Sequence, residues 1–259
     1  MRAQLEALFG EAEASEEQVH ARLGPAGKAT AWKAGTPKAL IAPHAGYVYS
    51  GPIAASGYSL LQGLKGTVET VVLVGPAHRY AFRGLAGCTA TAFESPLGDV
   101  PLDQGTLKRL AKLPQVHLLD QAHEGEHSLE VHLPFLQWVL GDFSLVPLVV
   151  GDATYEEVAE VLLAAWGGAE TLVVVSSDLS HFLPYRMARK LDEDTAGAIE
   201  ALRPQDIGSN QACGRVPLGG LLLRAKEEGL VVDRVDLRNS GDTAGSRNQV
   251  VGYGSWIIG

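Results

Sequence analysis

Cysteine is scarce in this chain, with only Cys88 and Cys213 among 259 residues. Two cysteines cannot make a disulfide framework, so a reducing, cytoplasmic setting is expected. Positive charge is also short: 21 Lys+Arg stand against 30 Asp+Glu, a net charge of −9. That balance argues against nucleic acid or an anionic membrane as partner. No apolar run reaches the roughly 18–20 residues of a membrane span. The start, Met1 to Leu5 followed by Glu-rich sequence to Glu17, lacks the apolar core of a signal peptide. Nucleotide and hydrolase motifs are missing as well. Gly24 to Thr30 departs from P-loop spacing, no G-x-G-x-x-G follows a strand, and no G-x-S-x-G elbow occurs. What the chain has is hydrophobic residues at 46% and charged residues at 20%, too apolar for a disordered protein.

One pattern recurs. A short apolar, β-branched run enters a polar turn marked by Gly or Pro, and a helical stretch follows. The runs are Ala39–Ala42, Thr70–Val74, Leu145–Val150 and Thr171–Val175. Strands without alternation are buried on both faces, and the intervening helices cover them. Helices are expected over 3–23, 52–64, 103–113, 128–140, 154–166, 186–202 and 217–228. The first has Leu5, Leu8 and Val19 as its apolar positions and stops at Gly24-Pro25-Ala26-Gly27. The end of the chain reads as two strands, 230–237 and 249–258, joined by a Gly-rich turn at 239–246. The fold class is therefore α/β, a single domain over 1–259 with a largely parallel central sheet flanked by helices. The helical segment 1–27 packs on that domain.

Ligands of open α/β sheets bind beyond the carboxyl ends of the strands. His44, His78 and His181 each follow such an end, as do Asp152 and Asp178. One histidine there means little, but three at matching positions imply a shared polar site. Imidazoles and carboxylates ligate Fe, Zn or Cu, and two His with one carboxylate leave positions open for substrate. Asp242 in the Gly-rich turn is the carboxylate candidate, with Asp178 and Glu124 as competitors. A second cluster runs from His123 through Glu124, Glu126, His127 and Glu130 to His132. It reads either as the acidic start of a helix or as partners of metal-bound histidines and of substrate.

Five blocks then stand in order: Pro43-His44-Ala45-Gly46-Tyr47, Gly75-Pro76-Ala77-His78, Glu126-His127-Ser128-Leu129-Glu130-Val131-His132-Leu133-Pro134, Ser176-Ser177-Asp178-Leu179-Ser180-His181 and Cys213-Gly214-Arg215-Val216-Pro217. Together they resemble the Memo family, whose prokaryotic members are called AmmeMemoRadiSam system protein B. The resemblance implies a fold similar to the LigB-like class III extradiol dioxygenases, which hold non-haem Fe(II) with two His and a carboxylate. It places metal histidines at His44 and His78, and an acid/base histidine at His181 with Asp178 beside it. Animal members add a cysteine near the C-terminal turn as a ligand. The turn at 239–246 has none, and Asp242 is the nearest substitute.

The expected protein is thus a metal-binding, dioxygenase-like oxidoreductase of unknown substrate. One divalent ion, Fe(II) or Cu with Zn as a third choice, would sit on His44, His78 and Asp242. His181 and Asp178 would be catalytic, and Tyr47, Arg79, Glu124, His127 and His132 would face substrate. The alternative is a peptide- or anion-binding module using the same cleft, with Tyr49 beside Tyr47. A small molecule or peptide is the expected ligand, and a radical-SAM protein the expected pathway neighbour.

Overall fold

The computed structural model describes residues 1–22 and 36–259. The expected helix stop at Gly24 to Gly27 lies outside the described residues. Four apolar strands form the centre: β1 (Ala39–Ala42), β2 (Thr70–Pro76), β7 (Ser144–Val150) and β8 (Thr171–Ser176). They are parallel, in the order β1-β8-β2-β7. Ala42 pairs with Ser176, and Pro76 with Val150, so all four carboxyl ends reach one edge.

The flanks of the sheet are partly antiparallel. On one side β11 (Val250–Ile258) pairs antiparallel with β1, β10 (Val232–Asn239) and β9 (His181–Leu183). On the other, β3 (Leu85–Gly87) lies antiparallel to β7 and parallel to β6 (Val116–Leu118). Two short strands, β4 (Ala92–Phe93) and β5 (Val100–Pro101), pair separately. The outermost strand β10 is rich in charged residues, and its Arg234 pairs with Glu193 and Glu200. A charged edge of this kind discourages pairing with another chain.

Eight helices occur among the described residues: α1 (Arg2–Arg22), α2 (Tyr47–Ser59), α3 (Gln104–Leu110), α4 (His127–Glu130), α5 (Leu133–Leu140), α6 (Tyr155–Ala165), α7 (Tyr185–Glu200) and α8 (Arg215–Glu227). Leu5, Leu8 and Phe9 join α1 to the single hydrophobic core, with Phe9 stacked on Trp138 at 5.9 Å. The expected helix over 128–140 is two helices. Pro134 would face the carbonyl of Glu130, where its ring clashes and no N–H is available, so the chain breaks between them. Helix α6 opens with a full capping box between Thr154 and Glu157.

Helices α6 and α8 meet at Gly219 and Gly220. A Cβ on Gly220 would lie 2.4 Å from Val158 Cγ1 and 3.1 Å from the Ala159 backbone nitrogen. Gly220→Ala gains about 1 kcal/mol of helix propensity but overpacks a site that cannot give way, at about 1–3 kcal/mol. The overlap wins. Thermal unfolding of the variant is expected to fall by several degrees, and an unchanged or raised midpoint would show that the two helices can separate freely.

Candidate metal centre

Each strand end delivers one part of the site. His44 follows β1 and is 2% exposed. Its backbone N–H donates to Asp178 Oδ1 at 2.8 Å, tying the β1 turn to the β8 turn. His78 follows β2, and its ring centroid lies 5.2 Å from that of His44. His127, the first residue of α4, completes a trio of imidazoles at 5.0 Å from His78 and 5.5 Å from His44. The convergence expected at the strand ends is therefore present for His44 and His78.

Cys213 was not expected here. It sits just before α8, yet its Sγ lies 3.4 Å from His44 Nε2 and accepts the Asp178 N–H at 3.3 Å. The close approach depends on Gly214, where a Cβ would lie 2.5 Å from the Ser176 carbonyl oxygen. Donor atoms of His44, His78 and Cys213 all lie within 4.8 Å of one another. A second group, His78, Glu126 and His127, shares His78.

The rings are oriented by their other nitrogens. Burial works against the Glu126 charge, but bonds from the His78 ring and N–H and from the Ser128 N–H outweigh it. They hold its pKa down at about 2. An ionised carboxylate only accepts, so His78 Nδ1 carries the proton and Nε2 keeps the lone pair. His181 is set likewise: Nδ1 donates to the Leu179 carbonyl at 2.8 Å, leaving Nε2 free.

Burial disfavours the charged forms of His44 and Cys213. Burial, followed by His78 and His127, lowers the His44 pKa to about 3 despite Glu126. Burial, then the neighbouring Asp178, pushes the Cys213 thiol up to about 12. Burial also raises Asp178. Neutral imidazoles are competent ligands, whereas the thiol must lose its proton before it can ligate.

Several of the expected site residues are engaged elsewhere in the structure. Asp242 joins neither donor group. It ends a short 3-10 turn, with Oδ1 bonded to the Tyr185 hydroxyl and Oδ2 accepting the Asn239 N–H at 3.1 Å. Its charge is used to close the turn and to meet Arg247 at 3.8 Å. His132 is wholly buried, so it touches no ligand directly. Tyr47 spends its hydroxyl on the Val131 carbonyl at 2.7 Å. Glu124 and Arg79 are exposed, and Arg79 lies against Gly125 near the imidazoles. Tyr49 is exposed. A cavity of about 260 Å³ opens beside Cys213, lined among others by Tyr80, Phe82, Val216 and Pro217.

The fold and this edge define an α/β protein with clustered imidazole, thiol and carboxylate groups at its strand ends. The family model described as Memo-like protein matches residues 10–257. A MEMO1 family protein of Aquifex aeolicus is 36% identical over 231 residues, covering 84% of each chain. One from Saccharolobus solfataricus is 35% identical, covering 83% of this chain and 80% of that one. The chain belongs to the Memo family. Uncharacterized protein JW3007 from Escherichia coli K12 shares the fold at TM-score 0.59 and 16% identity, over 86% of this chain and 100% of that one. No helix among the described residues is long and apolar enough to cross a membrane.

Proposed function

We propose that this Memo-family protein binds one transition-metal ion through His44 Nε2, His78 Nε2 and Cys213 Sγ, and acts as an oxidoreductase on a small chelating substrate. The observation that carries this is the meeting of two imidazoles and a thiol within 4.8 Å. The donor chemistry fits: thiolate with imidazole suits Cu, and imidazole also suits Fe and Zn. Cu is therefore favoured, with Fe(II) next. The carboxylate partner on His78 is the usual support for a metal-bound histidine.

Such an ion, when bound, supplies one-electron chemistry and open positions for an oxygen- or nitrogen-bearing substrate. The remaining work falls to the chain. Cys213 gives up its Sγ proton on metal entry. Asp178 holds the His44 backbone and meets Cys213 through its own N–H. His181 Nε2 accepts a proton from substrate. The cavity at Tyr80 and Phe82 seats the apolar body of the substrate and excludes water.

Protein purified without chelators is expected to carry about one equivalent of Cu or Fe. Binding should release close to one proton, read by calorimetry in buffers of different ionisation heat. Protein that neither retains nor takes up metal sinks the proposal. The exposed Arg79, which forms no ion pair among the described residues, favours a second reading, capture of an anionic peptide without turnover. Metal-loaded protein that binds acidic peptides but consumes no oxygen with catechols would support that reading.

A further inference from the structure

We propose that Tyr58, His132 and Ser176 form a buried hydrogen-bonded line that fixes the ring tautomer of His44 and aims its Nε2 lone pair at Cys213. This rests on the metal reading of the site for its purpose, though its geometry stands independently.

The proton positions follow from counting donors. Ser176 Oγ, fully buried, lies 2.6 Å from the Ser128 carbonyl oxygen, 2.6 Å from His44 Nδ1 and 2.9 Å from His132 Nε2. A carbonyl can only accept, so the single hydroxyl proton of Ser176 goes to Ser128. The oxygen is then an acceptor toward both rings. His44 must carry its proton on Nδ1, and His132 must carry its own on Nε2. His132 Nδ1 is left as an acceptor, and the Tyr58 hydroxyl donates to it at 2.8 Å. Every polar atom in the line has a partner with the right role. Burial acts in the same direction, disfavouring the phenolate and imidazolium forms.

Ser128 joins this line to the other histidine. Its carbonyl receives the Ser176 proton, while its N–H donates to Glu126 Oε1 at 2.9 Å. Glu126 in turn fixes His78 Nδ1. The backbone of one residue thus links the partners of both rings, and His44 Nε2 lies 3.4 Å from the thiol. Ser176, His132 and Tyr58 are positioning residues: they act through His44 and touch no substrate. The motif Glu126-His127-Ser128 followed by His132 serves two rings from one loop and helix start.

The test reads tautomers directly. Protein labelled with ¹⁵N in histidine, freed of metal and held near neutral pH, is examined by long-range ¹H–¹⁵N correlation. His44 is expected as Nδ1–H and His132 as Nε2–H. A His44 signal protonated at Nε2 overturns the proposal. Ser176→Ala should release His44 to the Nε2–H form and lower Cu(I) affinity by about 10–100-fold, the usual scale for partners of metal ligands. Ser176→Thr keeps the acceptor and should restore both. An unchanged His44 tautomer in folded Ser176→Ala also overturns it. If that variant does not fold, the wild-type spectrum still decides, and Tyr58→Phe gives a milder test. That change should free the His132 tautomer, and an unaltered His132 spectrum counts against the line. The spectra need no metal, so protein that binds none fails the metal reading while this one is judged separately.

Discussion

Cys213→Ser is expected to weaken Cu(I) binding by more than about 100-fold, beyond the roughly 10–100-fold of a change outside the ligand set, while Asp242→Asn leaves affinity unchanged. The serine hydroxyl matches the thiol in shape but offers a hard, protonated oxygen in place of a soft thiolate. Two neutral imidazoles alone would remain, with no anionic ligand to neutralise the ion. Asp242 is occupied elsewhere, bonded to Tyr185 and the Asn239 N–H. Asn at that position keeps an oxygen for the turn. Competition titration against a chelator of known affinity, run anaerobically on both variants, separates the two carriers of negative charge. The loss of a thiolate-to-copper absorption in Cys213→Ser gives a second readout. Equal affinities for wild type and Cys213→Ser, with a loss in Asp242→Asn, would restore the carboxylate triad.

The proposed exchange of Asp242 for Cys213 as the anionic ligand turns on a contact that sequence does not display. The four central strands are legible because continuous apolar runs can only be buried on both faces. His44 and His78 follow, since a strand end fixes their place to within a few residues. Cys213 lies 35 residues beyond Asp178 and reaches it through tertiary contact, the Cys213 N–H meeting the Asp178 carbonyl at 3.2 Å. Its available signal was the Cys213-Gly214 pair, a glycine that lets backbone approach backbone before a helix. Glu126 was legible only as one acid among several, because its role depends on meeting His78 from another loop. Strands such as Ala92–Phe93 and Val100–Pro101 exist by pairing with each other, and two residues carry no period. His132 shows the opposite case. A histidine beside ligand-like neighbours reads as a site residue, and only its complete burial between Tyr58 and Ser176 makes it a support.

Glu126→Gln is expected to cost about 3 kcal/mol of stability at pH 7 in chelator-treated protein, a penalty that disappears in acid. The carboxylate is 5% exposed and accepts from three N–H groups: the His78 backbone, the His78 ring and the Ser128 backbone. A glutamine amide offers one accepting oxygen and turns its NH₂ toward donors, leaving at least one buried N–H unpaired. The pH dependence has a definite sign. The folded-state pKa of about 2 lies below the ordinary value of 4.5, so on acidification the unfolded chain takes up the proton first. The charge therefore stabilises the fold fully above pH 4.5, and that contribution is lost as pH falls through about 2. At about 1.4 kcal/mol per pKa unit, the interval corresponds to about 3 kcal/mol. Urea unfolding of wild type and variant at pH 7, 4.5 and 3 should show the gap between them narrowing only below pH 4.5. A gap of the same size at pH 7 and pH 3 would mean that Glu126 contributes shape rather than charge, and that the orientation of His78 rests on packing.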